Sequence, residues 1–261
     1  MAPALMPEIL FGRNPVLEAL RAGRRLRRLL LAPGMGEDPR LAEIRRTADD
    51  QGVVAETQSR SRLSDIAHSQ HHQGIAAYFD GRQLDGVSAL EQLVRAQDPA
   101  WPPLLLCLDQ VQDPQNLGSL ARSAESFGVT ALVLPRHRTA PISAAVAKSS
   151  SGAIEHLRLV RVANLVQTLE RLRQLGLTVV GLDVAAAQRA DQIDLRQPLA
   201  LVVGAEGSGL RQLTRRTCDA LAALPIGGRV GSLNAGVAGA VILYEAARQR
   251  GFAFPSSARS A

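Results

Sequence analysis

The stretch LLLCLDQVQDPQNLGSLARSAESFG, residues 104–128, passes from a continuous apolar run to a polar DPQN turn and then to helical periodicity. A strand over 104–109 that lacks apolar–polar alternation is buried on both faces. With the helix expected over 116–127, it predicts one unit of a parallel sheet covered by helices. The pattern repeats downstream, with strands expected at 131–134, 177–182 and 199–203 and helices at 164–175 and 232–250. Upstream the elements are shorter: a helix from about 15 to 22, a strand at 29–32, a helix near 40–50, a strand at 53–57, a short helix after Ser61 and a strand at 74–79. They predict a small α/β unit. Residues 80–103 carry Asp, Gly and Gln, one short amphipathic stretch and the turn-rich AQDPAWPP, and are expected to link the two. The expected architecture is α/β in two domains, 1–79 and 104–261, joined by a linker over 80–103. No repeat of fixed period is present, and the tail from Ala253 reads as disordered.

Composition narrows the class. With 46% hydrophobic and 21% charged residues in 261, the chain is an ordinary globular sequence rather than a disordered or fibrous one. No apolar run approaches the roughly 20 residues of a membrane helix. Met1 to Ile9 lacks the basic stretch and long apolar segment of a secretory signal. Cys107 and Cys218 both sit in apolar contexts and read as buried thiols of a cytoplasmic protein. Thirty basic against 24 acidic residues give a net charge of +6, and every basic residue but Lys148 is arginine. Arginine usage alone accounts for that, but a planar, always-charged group also suits phosphate recognition. Aromatic content of 3% argues against a protein that binds single strands by stacking bases on aromatic platforms.

Three segments of the second half follow predicted strands, where open parallel sheets place ligands. In the first, residues 108–128, Asn116 opens the helix and Gly118, Arg122 and Glu125 follow. Asn116 serving only as a cap, with Arg122 paired to Glu125, is the structural alternative to a shared site. The second is VVGAEGSGL, 202–210, where Gly204, Gly207 and Gly209 permit positive φ and close backbone approach. It matches neither the phosphate-binding P-loop nor G-x-G-x-x-G, and Glu206 favours a cationic or hydroxyl-bearing ligand over a triphosphate. A plain turn is the alternative. The third is ALPIGGRVGSLNAGVAGAVILYE, 223–245: an apolar strand, three glycines, then Ser232 and Asn234 opening a long helix with small residues on one face. Capping and helix packing are the ordinary roles for these residues.

Taken in order and spacing, the three segments resemble the SpoU (TrmH-like) family of RNA ribose 2′-O-methyltransferases. The family's motifs read approximately N-x-G-x-x-x-R, then G-x-E-G-x-G, then L/I-P-x-x-G-x-x-x-S-L-N-V-S-V-A. The match covers residues 104–250. Upstream, GRNPVLEAL (12–20) and HHQGIAA (71–77) look like the two-domain members that methylate a guanosine of 23S ribosomal RNA. The resemblance implies a SPOUT-type parallel-sheet domain with a deep C-terminal trefoil knot, which general topology rules would not anticipate. It also implies a small N-terminal RNA-binding domain akin to a ribosomal-protein fold.

By position, the resemblance assigns Gly204, Leu224, Ile226 and Leu233 to S-adenosylmethionine, held bent and largely by backbone groups. It assigns Asn116, Arg122, Glu206, Ser232 and Asn234 to the functional polar residues. Where the motif ends S-L-N-V-S, this chain carries Gly236 in place of the second serine. Arg122 is a poor free base because guanidinium does not readily deprotonate. Its expected task is to hold the target's phosphate and orient the 2′-oxygen, the proton acceptor being left open. No metal is expected: His68, His71 and His72 lack a cysteine or carboxylate at ligand spacing. Arg21, Arg24, Arg25, Arg27 and Arg28 are candidates for RNA backbone contact, a solvated helix end being the alternative. A homodimer is expected from the small-residue face of the last helix together with the resemblance. The reaction expected is methyl transfer to a 23S ribosomal RNA guanosine. The alternatives are transfer RNA, a ribosomal RNA adenosine, or a non-catalytic assembly factor for which Gly236 is the only hint.

Overall fold

Short apolar segments near the N-terminus build a four-stranded sheet from β1 (Glu8–Phe11), β2 (Leu26–Leu31), β3 (Ala55–Thr57) and β4 (Ile75–Phe79), in the order β1-β4-β2-β3. Only β2 and β3 pair in parallel. Helices α1 (Arg13–Arg21), α2 (Pro39–Asp50) and α3 (Arg60–Ala67) connect the strands. Asp38 and Ser59 cap the last two by accepting the Leu41 and Arg62 amides at 2.8 and 3.1 Å. Val16, Leu29, Leu41, Ile44, Leu63 and Phe79 are fully buried, each contributing about 1.5–3 kcal/mol. The computed structural model describes residues 6–36, 38–96, 101–229 and 231–254. Residues 97–100 of AQDPAWPP and 255–261 of the expected disordered tail lie outside them.

The chain forms two compact units, and both boundaries differ from the sequence expectation. The first unit comprises Met1–Gln83 with Pro141–His156, the second Leu84–Ala140 with Leu157–Ala261. Inside the expected linker, α4 (Val87–Arg95) belongs to the second unit, because Leu90 and Val94 enter its core. The segment 141–156 returns to the first unit with Val146, Ala147 and Ile154 buried and with an ion cluster at Glu155. The buried Glu155 carboxylate is held between Arg24 (3.3 Å) and Arg82 (2.5 Å), and Arg24 also donates to Glu8 at 2.8 Å. Gly152, at φ +91°, passes so close to α1 that a Cβ would lie 2.6 Å from that of Glu18.

The second unit is a seven-stranded sheet. In chain order its elements are β5 (Leu104–Asp109), α5 (Pro114–Ser126), β6 (Ala131–Pro135), β7 (Leu159–Val162), α7 (Leu165–Gln174), β8 (Thr178–Leu182), β9 (Gln188–Arg189), β10 (Leu199–Gly204), α8 (Gln212–Thr217), β11 (Ala220–Ala223) and α9 (Ala235–Gln249). The label α6 belongs to Ala144–Ser149 of the first unit. Strand order is β7-β6-β5-β10-β8-β11-β9, and every pairing is parallel. Leu105 and Cys107 of β5 pack with α4 and α7. Burial pushes the Cys107 thiol far up and that of Cys218 to about 12, so both are inert at neutral pH. The opposite face takes α5 and α9. A Cβ at Gly239 would collide with Leu120, and one at Gly236 would lie 2.9 Å from the Ser119 Cβ. The small face of α9 is therefore occupied by α5 of the same chain and is not free to receive a second copy, contrary to the expectation from sequence.

Candidate active site

Parallel register brings Gly204 beside Asp109, so the loops leaving β10 and β5 start side by side at the carboxyl end of the sheet. Asp113, not Asn116, caps α5, its carboxylate accepting the amides of Gln115 (3.2 Å) and Asn116 (3.1 Å). Asn116 is thereby left inside the first turn, 5% exposed, with its side-chain amide available for another task. That amide donates to Glu206 Oε2 at 2.9 Å. Asn234 donates from Nδ2 to Asn116 Oδ1 at 2.7 Å and to the same Glu206 oxygen at 3.1 Å. Its own Oδ1 caps α9, accepting the Gly236 and Val237 amides at 2.9 and 3.3 Å. Three segments distant in sequence thus close into one bonded triangle, and Asn234 is both cap and site residue.

The loop that carries Glu206 is fixed at each end. Ala205 and Gly209 exchange backbone bonds of 3.1 and 2.9 Å, and Gly207 and Gly209 hold φ of +79° and +64°. The Gly204 α-carbon is packed against that ring, so a Cβ there would collide with Gly209 and lie 2.5 Å from the Leu210 nitrogen. Beyond the ring, the fully buried Asp109 carboxylate accepts from the Arg211 amide (2.9 Å) and from Arg211 Nε (2.6 Å). Sequence reading missed both residues. Asp109 ends an apolar strand and Arg211 follows an apolar residue, and nothing local signals that the two meet.

Beside the triangle lies a cavity of about 340 Å³, within the usual size of a small-molecule site. Gly204, Leu224, Ile226 and Leu233, the four residues assigned to a cofactor, all line it, as do Ser232 and Glu206. Leu233 and Ile226 expose 40% and 37% of their surface, an apolar wall suited to a flat heterocycle. The charged lining comprises Glu206, Asp183 and Arg215, the last paired to Asp183 at 3.0 Å. Such a lining offers no cradle for a phosphate chain and favours a cationic ligand. Asn116, Asn234 and Arg122 stand outside the lining, and Arg122 is exposed on α5 six residues, about 9 Å of helix, beyond Asn116.

The candidate RNA-binding arginines are mostly engaged within the fold. Arg21 is held by Glu43 at 2.8 Å, Arg27 by Asp80 at 2.5 Å and Arg28 by Glu56 at 2.7 Å. Arg24 is nearly buried against Glu8 and Glu155, with its guanidinium 5.2 Å from the Phe79 ring centre. Arg25 is exposed and lies in the field of Asp80. His72 is buried, its Nδ1 accepting the Gly74 amide at 3.0 Å. Among the described residues no group of histidine, cysteine or carboxylate side chains is placed to hold a metal ion, and no helix is long and apolar enough to cross a membrane.

Comparison with known proteins gives two family matches: the SpoU rRNA Methylase family over residues 103–244, and RNA 2′-O ribose methyltransferase substrate binding over residues 9–84. The 23S rRNA (guanosine-2′-O-)-methyltransferase RlmB of Pseudomonas aeruginosa is 41% identical over 93% of this chain and 97% of its own length. An uncharacterized tRNA/rRNA methyltransferase of Synechocystis is 40% identical over 97% of this chain, which spans 66% of that protein's length. Among solved structures, the SpoU methyltransferase AviRb from Streptomyces viridochromogenes, in complex with the cofactor AdoMet, superposes with a TM-score of 0.75 at 26% identity, covering 94% of this chain and 90% of its own.

Proposed function

The chain belongs to the SpoU rRNA Methylase family, and from that membership we propose that it transfers a methyl group from S-adenosylmethionine to the ribose 2′-hydroxyl of a guanosine in 23S ribosomal RNA. The observation that carries the reading is the bonded triangle of Asn116, Glu206 and Asn234 beside an apolar, phosphate-averse cavity. The guanosine and the ribosomal RNA rest on the RlmB relative, and the cofactor on the AdoMet-bound neighbour. The family's trefoil knot is inferred on the same footing, and a protein acting on ribosomal RNA would work in the cytoplasm. By function the chain divides into residues 1–79 for substrate recognition and 104–261 for methyl transfer, with 80–103 connecting them in sequence although α4 packs with the second unit.

The cavity suits this cofactor: Leu224, Ile226 and Leu233 would receive the adenine, and the acidic lining would favour its cationic sulfonium. Bound there, the cofactor supplies an electrophilic methyl group. The chain's own residues supply position. Glu206 Oε2 is shared by two asparagine amides, and Oε1 has no partner among the described residues, so it remains an acceptor for a ligand hydroxyl or amine. Ser232, exposed at the cavity, would complete the polar edge. Arg122 would hold the RNA phosphate and orient the 2′-oxygen for in-line approach, its fixed charge making it a clamp rather than a base.

Gly236, the departure from the family motif, leaves this machinery intact. Its lack of a side chain admits Ser119 of α5, and its amide is bonded by Asn234. Homodimerisation is supported by the exposed outer face of α9, where Val237, Val241 and Tyr244 follow one another at helical spacing. The test is transfer of labelled methyl from S-adenosylmethionine to ribosomal RNA lacking the modification, with ribose methylation mapped. Arg122→Ala should lower single-turnover transfer by on the order of 10²-fold while cofactor affinity stays near wild type. Near wild-type turnover in that variant rejects the placement of the catalytic centre, and absence of methyl transfer to any RNA rejects the function.

A further inference from the structure

Ion pairing separates the arginines already engaged by carboxylates from those open to a ligand. Arg21, Arg24, Arg27 and Arg28 each hold a carboxylate, and a guanidinium forked on one must release it before meeting a phosphate. The loop after β6 is different. Arg136, His137 and Arg138 are all exposed, and neither arginine has an ion pair among the described residues. Arg161 on the neighbouring edge strand β7, in register with Leu134, is likewise exposed and unpaired among them.

The loop's place in the sheet is fixed by its ends. The Arg136 amide donates to the Val162 carbonyl at 2.8 Å, at the end of β7, and the Ala140 amide donates to the Val111 carbonyl at 2.9 Å, in the turn from β5 into α5. The loop therefore runs along the carboxyl rim from β7 to β5. The cavity is walled by residues after β8, β10 and β11 and by the start of α9, on the other side of the β5–β10 boundary. The triangle of Asn116, Glu206 and Asn234 sits between them. Arg138 holds φ +58°, a left-handed conformation that few non-glycine residues adopt and that tends to be retained where it serves a site.

A ribose presented at the triangle has cofactor on one side, so its flanking nucleotides must leave toward the other, where the rim carries uncompensated positive charge. We propose that Arg136 and Arg138 bind backbone phosphates of the RNA strand next to the methylated nucleotide. The inference rests on the RNA-methylating reading above. Contacts to phosphates set the register of the strand without reading bases, so the rim positions the target and leaves base choice to other residues.

The experiment measures ribosomal RNA affinity across a salt series for wild type, for Arg136→Ala with Arg138→Ala, and for Arg27→Ala with Arg28→Ala. In the rim variant, affinity should fall about tenfold or more, and the slope of log affinity against log salt should shrink by about one to two, because each lost phosphate contact removes about 0.7–0.9. Its KM for RNA should rise, with cofactor affinity and the rate at saturating RNA unchanged. The variant of the carboxylate-paired arginines should keep the wild-type slope. Wild-type affinity and slope in the rim variant overturn this inference alone. Wild-type protein that binds ribosomal RNA at no salt concentration overturns it together with the reading beneath it.

Discussion

Gly204 and Asp109 show how single residues hold the candidate site without touching a substrate. The family resemblance implies backbone contact between Gly204 and a cofactor, so that a side chain would block the ligand. The structure gives an earlier reason: a Cβ would collide with Gly209 in the chain's own loop. Gly204→Ala is accordingly expected to lower stability by about 1–3 kcal/mol, the cost of overpacking a tight contact, alongside its loss of cofactor affinity. Denaturant melts run beside cofactor titration check this, and unchanged stability with lost affinity would restore the ligand-only account. Asp109 acts from below the same loop. Asp109→Asn keeps an acceptor for the Arg211 amide but removes the charge facing its guanidinium, costing about 1–3 kcal/mol. If Asp109 positions Glu206, the loss in transfer rate should largely vanish in a Glu206→Gln background. Losses that add in the double variant would make Asp109 merely structural. Position after predicted strands marks the segments of Asn116, Glu206 and Asn234 in the sequence, but only the family resemblance groups the three residues into one site. Asp109 and Arg211 were not, because a pair separated by 102 residues leaves no local trace.

At the level of elements, the long and strongly apolar ones were legible and the short ones were not. The strand over 104–109 stands as read, and the helix ends shift by two or three residues where Asp113 and Asn234 take the caps. Strands β1, β7 and β9 and helices α6 and α8 have six residues or fewer, too few for a period to show. The strand expected from 223 ends there instead: β11 pairs with β8 and β9 over Ala220–Ala223, and Leu224 and Ile226 leave the sheet to line the cavity. The turn between α3 and β4 yields a pH prediction. Burial, reinforced by the charge of Arg60, holds the His72 pKa below its ordinary value. Its Nδ1 already accepts the Gly74 amide, so in the neutral ring Nε2 carries the proton toward the Ser64 hydroxyl at 3.1 Å. Protonation would set two donors against each other at Nδ1. Because the unfolded chain binds the proton more readily, this stabilisation is complete above about pH 6.5 and declines as pH falls toward the lower folded value. The first unit should melt at a lower temperature at pH 5 than at pH 7.5, and His72→Gln should flatten that dependence. An equal decline in the variant would assign it to other groups.

Across the whole molecule, the outer face of α9 is what the monomer leaves unexplained. Its inner face, with Gly236, Gly239, Ile242, Leu243, Ala246 and Ala247, is buried in the chain's own fold. Its outer face carries Val237, Val241 and Tyr244, exposed at 48%, 42% and 50%, with the rings of Phe252 and Phe127 centred 5.6 and 6.0 Å from that of Tyr244. A helix apolar on both sides is ordinarily covered on both, and a contiguous apolar strip of this kind marks an interface. A second copy presenting the same strip is the simplest cover, since closed two-fold pairing makes one surface its own complement. The strip begins three residues after Asn234, so the interface would abut the triangle and steady the start of α9 that caps it. Light scattering should therefore give about twice 27.8 kDa, and the melting temperature should rise with protein concentration. Val241→Glu with Tyr244→Glu should yield a folded monomer, because neither side chain enters the core, with methyl transfer reduced together with dimer content. A wild-type monomer at micromolar concentration, or a charge variant that is monomeric and fully active, would separate the active site from any interface and leave the strip to a different partner.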